Sequence, residues 1–320
     1  MVRMNFPSVQ MEGRNVLVTG AGGFIGSAVV DFLVSCSARV RALLGAPGEA
    51  VRNPCCGAET YLTDIRDLAK VSEHVRGVDV VVHLAGPPSV RMSFECPSEY
   101  AAIHTLGTAT ILEACQRHRV PRIVYVSSAE IYGRPISNPV TEDFEVRPVS
   151  PYGAAKAGAE VFVRTIAAAS GMKAVILRPF SVYGPRLSSA SLIANILQQV
   201  RSCDSVWVRD LKPVRDYCFV RDVAEAIALA CGAEVDGCTL NLGSGVGTSV
   251  KEIAECVVRL SGKKLAVQEN SISESGPGEE IYELVADTRR ASAVLGWRAR
   301  TRLEDGLRET ILWMNHSAEF

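Results

Sequence analysis

The sequence has no surplus of charge of either sign. Its 34 Lys and Arg face 35 Asp and Glu, a formal net charge of -1. That balance speaks against a nucleic acid or an anionic membrane surface as partner. No apolar run is long enough to span a bilayer. Met1 to Arg14 carries no apolar core followed by a small-residue cleavage site, so a secreted product is not expected. There is no C-x-x-C pair and no metal-ligand spacing, although the chain has ten cysteines. They are scattered, and several sit in apolar stretches such as Ala228-Leu229-Ala230-Cys231. Reduced, mostly buried thiols in a cytoplasmic protein are the expectation, with adjacent Cys55-Cys56 read as a loop feature. Internal repeats and low-complexity tracts are missing too. What remains is ordinary globular composition, 48% hydrophobic and 22% charged over 320 residues. That length suits one large α/β domain or two lobes.

The most informative stretch is Val16-Leu17-Val18-Thr19-Gly20-Ala21-Gly22-Gly23-Phe24-Ile25-Gly26. An apolar strand runs into a glycine turn and then a helix. Glycines at Gly20, Gly23 and Gly26 let the turn close, let backbone N–H groups approach a pyrophosphate, and let the helix pack on the strand. The helix N-terminus then offers orphan donors and a positive dipole end to the anion.

Strand and helix signals alternate through the first 180 residues. Strands are predicted at Val16–Thr19, Arg39–Leu44, Glu59–Leu62, Val78–Leu84, Arg122–Ser127 and Ala174–Leu177. Helices are predicted at Ser27–Ser35, Asp67–Val75, Tyr100–His118 and Tyr152–Ala169. Val78–Leu84 is a nearly continuous apolar run, as a strand buried on both faces requires. Repeated β-α units imply a doubly wound parallel sheet, a Rossmann-type α/β fold, with ligands at the carboxyl ends of the strands. After Pro179 the pattern loosens. A helix is predicted at Leu187–Arg201, strand then helix across Arg215–Ala230, a short strand at Thr239–Leu242 and a polar loop at Asn270–Glu280. The division follows: a dinucleotide-binding domain over 1–180 with 212–248 returning to it, and a smaller interleaved substrate lobe from 181–211 and 249–320.

Ser150-Pro151-Tyr152-Gly153-Ala154-Ala155-Lys156 is the second signal. Tyr152 and Lys156, four apart at a helix start, share one face. An ammonium near the phenol is expected to lower its pKa from about 10, which makes the tyrosine a usable general acid or base. Ser127 and Ser128 lie where the preceding strand ends. A hydroxyl there can hydrogen-bond the substrate oxygen that Tyr152 deprotonates.

As a set these motifs resemble the extended short-chain dehydrogenase/reductases, specifically the NAD-dependent epimerase/dehydratase group. His83-Leu84-Ala85-Gly86, Asp64-Ile65, Arg178-Pro179-Phe180-Ser181-Val182-Tyr183-Gly184-Pro185, Val214-Arg215-Asp216-Tyr217, Asn241-Leu242-Gly243-Ser244-Gly245 and Leu295-Gly296-Trp297 agree with it. The resemblance implies chemistry on a nucleotide-diphosphate sugar, an NAD cofactor with NADP the alternative, and often a homodimer built through the Tyr/Lys helix. It implies a catalytic set of Ser128, Tyr152 and Lys156, with Tyr152 and Lys156 also touching the cofactor. Phe24 and Ile25 would meet the pyrophosphate through backbone, Asp64 and Ile65 would flank adenine, and Leu84, Ala85, Gly86 and Phe180 would line the cofactor path. Ser127, Ser128, Ser181 and Arg215 would face the substrate.

The chain also departs from that pattern. Leu44 and Gly45 stand where an acid would hold the ribose hydroxyls. His104 replaces an active-site asparagine and is carried over as a cofactor contact. Ser181 replaces another asparagine, and Gly276-Pro277-Gly278-Glu279 replaces a second phosphate-clamping arginine. Ser128-Ala129-Glu130 supplies a lone acid without the neighbour that dehydratases and decarboxylases use. Epimerisation, most often at C4 in this family, needs neither and stands first. A dehydratase or decarboxylase using Glu130, an NAD(P)-dependent reductase of a non-nucleotide substrate, and a non-catalytic dinucleotide-binding regulator remain as alternatives.

Overall fold

Alternating apolar residues on two faces decide the architecture. Val16 and Val18, Val80 and Val82, Val124 and Val126, and Val175 and Leu177 fill one core; Leu17, Val81, Ile123, Tyr125, Ala174 and Ile176 fill another. Successive side chains of a strand point to opposite faces, so a sheet carrying both sets must be covered on both sides. The computed structural model describes residues 10–46, 53, 55–270 and 281–316.

The chain runs β1 (Asn15–Thr19), α1 (Phe24–Ser35), β2 (Arg39–Gly45), β3 (Glu59–Leu62), α2 (Leu68–His74), β4 (Val80–His83), α3 (Val90–Glu95) and α4 (Pro97–Tyr100). A π-helical turn, Ala101–Leu106, leads into α5 (Gly107–Arg117) and β5 (Arg122–Val126). A 3₁₀ turn, Ala129–Tyr132, precedes α6 (Pro151–Ser170), β6 (Lys173–Pro179), β7 (Ser181–Tyr183), α7 (Leu192–Ser202), β8 (Ser205–Val208) and β9 (Val214–Phe219). Then come α8 (Val220–Gly232), β10 (Cys238–Leu242), β11 (Gly247–Ser249), α9 (Val250–Leu260), β12 (Ala266–Glu269), β13 (Glu283–Leu284), α10 (Arg289–Leu295) and α11 (Leu303–His316).

Seven strands form one sheet in the order β10-β6-β5-β4-β1-β2-β3, every pair parallel. The strand order reverses between β1 and β4, the place where doubly wound sheets hold ligands. The fold is the expected Rossmann-type sheet. A third core joins α7, β8, β9, α9 and α11. β9 pairs with β7, β11 and β13 and lies outside the large sheet, to which the chain returns at β10.

Three predicted elements differ in detail. α1 begins at Phe24, three residues before Ser27, because the turn itself starts the helix. The helix expected over Tyr100–His118 is interrupted by the π-helical turn, in which the Gly107 N–H reaches back to Ala102 O. The helix predicted from Leu187 begins at Leu192, capped by the Ser191 hydroxyl. Within the polar loop expected at Asn270–Glu280, residues 271–280 lie outside the described residues. All ten cysteines are free thiols, five of them buried, and no helix among the described residues is long and apolar enough to cross a membrane.

Candidate active site

The glycine turn closes against the end of β4. Gly20 has φ +67°, and a Cβ there would lie 2.8 Å from Ala85 Cα. A Cβ on Gly26 would lie 2.1 Å from Gly20 O, so the helix sits directly on the turn. Gly23 is the N-cap of α1 and has no side chain to cap it; the first turn holds no acid either. The leading N–H groups, at half-buried Phe24 and Ile25, are therefore open to an anion. These features fit a dinucleotide's pyrophosphate.

Two residues that sequence reasoning missed brace this turn from the loop after β2. Asn53 Nδ2 donates to Gly22 O at 3.2 Å, and the Cys55 thiol donates to Ala21 O at 3.4 Å. Burial pushes that thiol up to about 11. Leu44, at the ribose position, packs against the core. Arg41 is committed elsewhere, donating to the carbonyls of His74 and Arg76 at 3.0 and 2.7 Å. Neither supplies a carboxylate or a free cation to a ribose. The Asp64 carboxylate is forked by Arg66, which holds its pKa below the usual range. Ile65 is buried and seated against Gly107.

The chemistry-bearing residues meet beyond β4 and β5. Ser150 caps α6, accepting the Gly153 N–H at 3.1 Å, and Pro151 opens the helix. Tyr152, only 8% exposed, is brought beside Ser128 and the rings of Tyr100 and His104, whose centroids lie 6.2 and 5.3 Å from its own. Its pKa is pushed up to about 12, first by burial; the Ser128 hydroxyl opposes this, and Glu130 and Tyr100 add to it. The expected lowering by Lys156 is therefore corrected. Sharing a helix face does not make the pair touch: the lysine stem runs inward, and its Nζ donates to Val126 O at 2.8 Å. Lys156 is 4% exposed, and burial draws it down to about 7 against the pull of Glu160.

One turn further along α6, Glu160 forks Arg178 at 2.9 and 2.7 Å, and Arg178 donates to the Tyr132 hydroxyl at 2.8 Å. Tyr132 in turn donates to Asn241 Oδ1 at 2.7 Å. This buried network ties α6 to β6, the 3₁₀ turn and β10. Removing one partner of such a pair costs about 3–5 kcal/mol.

Of the two serines, Ser127 is buried with its N–H on Leu177 O at 2.7 Å, while Ser128 is half-exposed and fronts the site with Glu130. Phe180 is buried against Tyr132, and Ser181, half-buried, pairs in register with Tyr217. Arg215 on β9 is half-buried. Its neighbour Asp216 points the other way and accepts from the N–H groups of Ser244, Gly245 and Ala286 at 2.6, 2.9 and 3.1 Å. Burial raises that carboxyl, and the hydrogen bonds oppose the rise. Gly276 lies outside the described residues.

Gly86 has φ +136°, and a Cβ there would meet His104 Cε1 at 2.2 Å: the imidazole packs directly against the chain just beyond β4. His104 is 1% exposed, donates from Nε2 to Pro87 O at 3.0 Å and leaves Nδ1 without a partner. That lone pair is an unpaired buried acceptor.

A model of the NAD dependent epimerase/dehydratase family matches residues 16–243. UDP-glucose 4-epimerase from Streptomyces lividans is 34% identical over 308 residues, covering 90% of this chain and 92% of its own. The UDP-glucose 4-epimerase of Azospirillum brasilense is 32% identical over 326 residues, covering 93% and 91%. Among solved structures, the Thermus thermophilus UDP-glucose 4-epimerase in complex with NAD aligns with a TM-score of 0.85 at 31% identity, over 95% of this chain and all of that one. The family match and these likenesses agree: the chain is an enzyme belonging to the NAD-dependent epimerase/dehydratase family.

Proposed function

We propose that the enzyme epimerises a nucleotide-diphosphate sugar at C4, through a transient keto-sugar, with NAD as its cofactor. The observation that carries this is the buried Tyr152 hydroxyl beside Ser128, with Lys156 one turn along the same helix. When bound, NAD supplies a reversible hydride acceptor. Tyr152 takes the proton from the sugar hydroxyl and later returns it. Ser128 hydrogen-bonds the same oxygen and steadies the phenolate. Lys156 holds the nicotinamide ribose, and His104 Nδ1 accepts a hydrogen bond from the cofactor. Gly20, Gly23 and Gly26 cradle the pyrophosphate with the N–H groups of Phe24 and Ile25; Asp64 and Ile65 flank adenine. Leu84, Ala85, Gly86 and Phe180 border the cofactor, while Ser127, Ser181 and Arg215 face the sugar nucleotide, Arg215 toward its phosphates.

Residues 1–180 with α8 and β10 serve as the cofactor domain, and 181–211 with 249–320 as the substrate lobe of a cytoplasmic enzyme. β9 and β11, expected to return to the cofactor domain within 212–248, belong instead to the smaller sheet, because Tyr217 and Phe219 pack with α7, α9 and α11. Self-association as a dimer belongs to the same reading. The outer face of α6 leaves Val161 62% and Phe162 42% exposed, next to Leu106 at 57% on the adjacent π-helical turn. Sedimentation of wild type against Phe162→Glu tests it.

Incubation with a panel of nucleotide sugars, read by mass spectrometry and proton NMR, tests the reaction. A new stereoisomer of unchanged mass is the expected result. Loss of water or carbon dioxide would instead assign a dehydratase or decarboxylase using Glu130. Stoichiometric consumption of cofactor would assign a simple reductase.

A further inference from the structure

Beneath the proposed cofactor site runs a buried chain of hydrogen bonds. Thr19 ends β1, His83 ends β4, and Thr108 lies in the first turn of α5; all three are buried. Thr19 Oγ1 lies 2.6 Å from His83 Nδ1, and His83 Nε2 lies 3.0 Å from Thr108 Oγ1. The Thr108 hydroxyl donates to the carbonyl of His104. Thr19 Oγ1 also accepts the N–H groups of Leu84 and Ala85 at 3.3 and 3.2 Å.

Proton accounting leaves one arrangement. Thr108 has one hydroxyl hydrogen, and it goes to His104 O. Thr108 must then accept from His83, which puts the imidazole hydrogen on Nε2. Nδ1 is left bare and accepts the Thr19 hydroxyl, whose oxygen remains free for the two amides of the β4 exit. Within the Thr19–His83–Thr108 chain each hydrogen has an acceptor, the Tyr125 hydroxyl lies beside Thr108 at its edge, and burial, which drives His83 down to about 3, keeps the ring neutral. The chain thus begins one residue before Gly20 and ends at the π-helical turn that lays His104 on Gly86 and against Tyr152.

We infer that His83 is a positioning residue: through Thr19 and Thr108 it locks the dinucleotide turn and the π-helical turn into a single arrangement around Tyr152. A neutral imidazole can do this because it donates at one edge and accepts at the other, across the gap between two elements. A hydrophobe of equal volume would fill the space and lose the coupling. The inference rests on the reading of the site as an NAD site.

The test uses full-length protein, NAD as the probe, and hydrogen exchange of the amides in residues 101–108. In wild type, bound NAD is expected to slow exchange across that segment. His83→Leu should weaken NAD binding about tenfold and lose the protection, since each buried donor and acceptor left unpaired is costly. His83→Gln, which keeps a donor toward Thr108, should retain the protection. Thr108→Val cuts only the far link, so it should bind NAD within about threefold of wild type while losing the protection. It also serves as the decisive variant should His83→Leu not fold. Protection that survives in Thr108→Val overturns the inference, as does His83→Leu with wild-type affinity and protection. Wild-type protein that binds neither NAD nor NADP overturns the reading of the site itself, and the inference with it.

Discussion

The Lys156 ammonium hydrogen-bonds the backbone carbonyl of Val126 at 2.8 Å, with the Tyr125 ring centroid 5.1 Å from Nζ. The lysine is thus held at the end of β5, inside the protein. Burial draws its pKa down to about 7, whereas an unfolded lysine titrates near 10.4. The unfolded chain therefore binds an extra proton between those values. The cost of burying the ammonium is full below about pH 7 and is relieved as pH rises toward about 10. Cofactor-free Lys156→Met is expected to be more stable than wild type at about pH 6, with the gap closing by about pH 10. Urea midpoints at both pH values check this, and a gap that widens with pH contradicts it. The same variant should bind NAD more weakly and turn over slowly.

The glycine turn offers a second, separable test. A Cβ at Gly26 would sit 2.1 Å from Gly20 O, whereas one at Gly23 would sit 3.1 Å away. Gly26→Ala should therefore cost stability, about 2 kcal/mol or more, because helix and turn must part. Gly23→Ala should fold with little loss. Gly23→Val should fold yet bind NAD poorly, since its side chain blocks the backbone's approach to the pyrophosphate. Calorimetry with unaltered NAD affinity in Gly23→Val would remove the turn from the cofactor site.

Much of this architecture can be read in the residues, for a physical reason. Val80 to His83 and Arg122 to Val126 are buried throughout, so the strands of the large sheet announce themselves as apolar runs. Ser150 and Pro151 mark the start of α6 because a capping hydroxyl and a missing N–H belong at a helix N-terminus. The smaller sheet is less legible. β7, β11 and β13 have three, three and two residues, and their partners are distant in sequence, so no local period betrays them. Spacing likewise places Tyr152 and Lys156 on one face but does not say how far a flexible stem reaches, which is why the expected coupling between them failed. His83 looked like another residue of an apolar strand. Only the meeting of Thr19 and Thr108 on either side of it gives the imidazole a role. Asn53 carries no signal at all before the loop folds back onto Gly22.

Glu130 tests the choice among reactions. It is half-buried beside Tyr152, and its charge raises the phenol's pKa. Glu130→Gln is expected to leave NAD affinity intact and to lower turnover modestly, while shifting the alkaline rise in activity to lower pH because a nearby negative charge is gone. NAD calorimetry and a pH profile of turnover measure both. Abolished turnover, with a wild-type product lighter by water or carbon dioxide, would overturn epimerisation.

Tyr152 carries the strongest prediction. Tyr152→Phe keeps the ring between Tyr100 and His104 but removes the oxygen proposed to take the substrate proton. A well-placed general base contributes about 10²–10⁴-fold, so turnover should fall by at least that range's lower end, with the circular dichroism spectrum unchanged. Ser128→Ala asks how the same oxygen is tuned. The Ser128 hydroxyl offsets part of the rise that burial imposes on the phenol. Without it the pKa moves further up, the phenolate is rarer at a given pH, and the alkaline rise in activity should move to higher pH. Glu130→Gln and Ser128→Ala should thus displace the profile in opposite directions, whereas substitutions that merely loosen packing would lower activity at every pH. Near-wild-type turnover in Tyr152→Phe would place the proton transfer on another group.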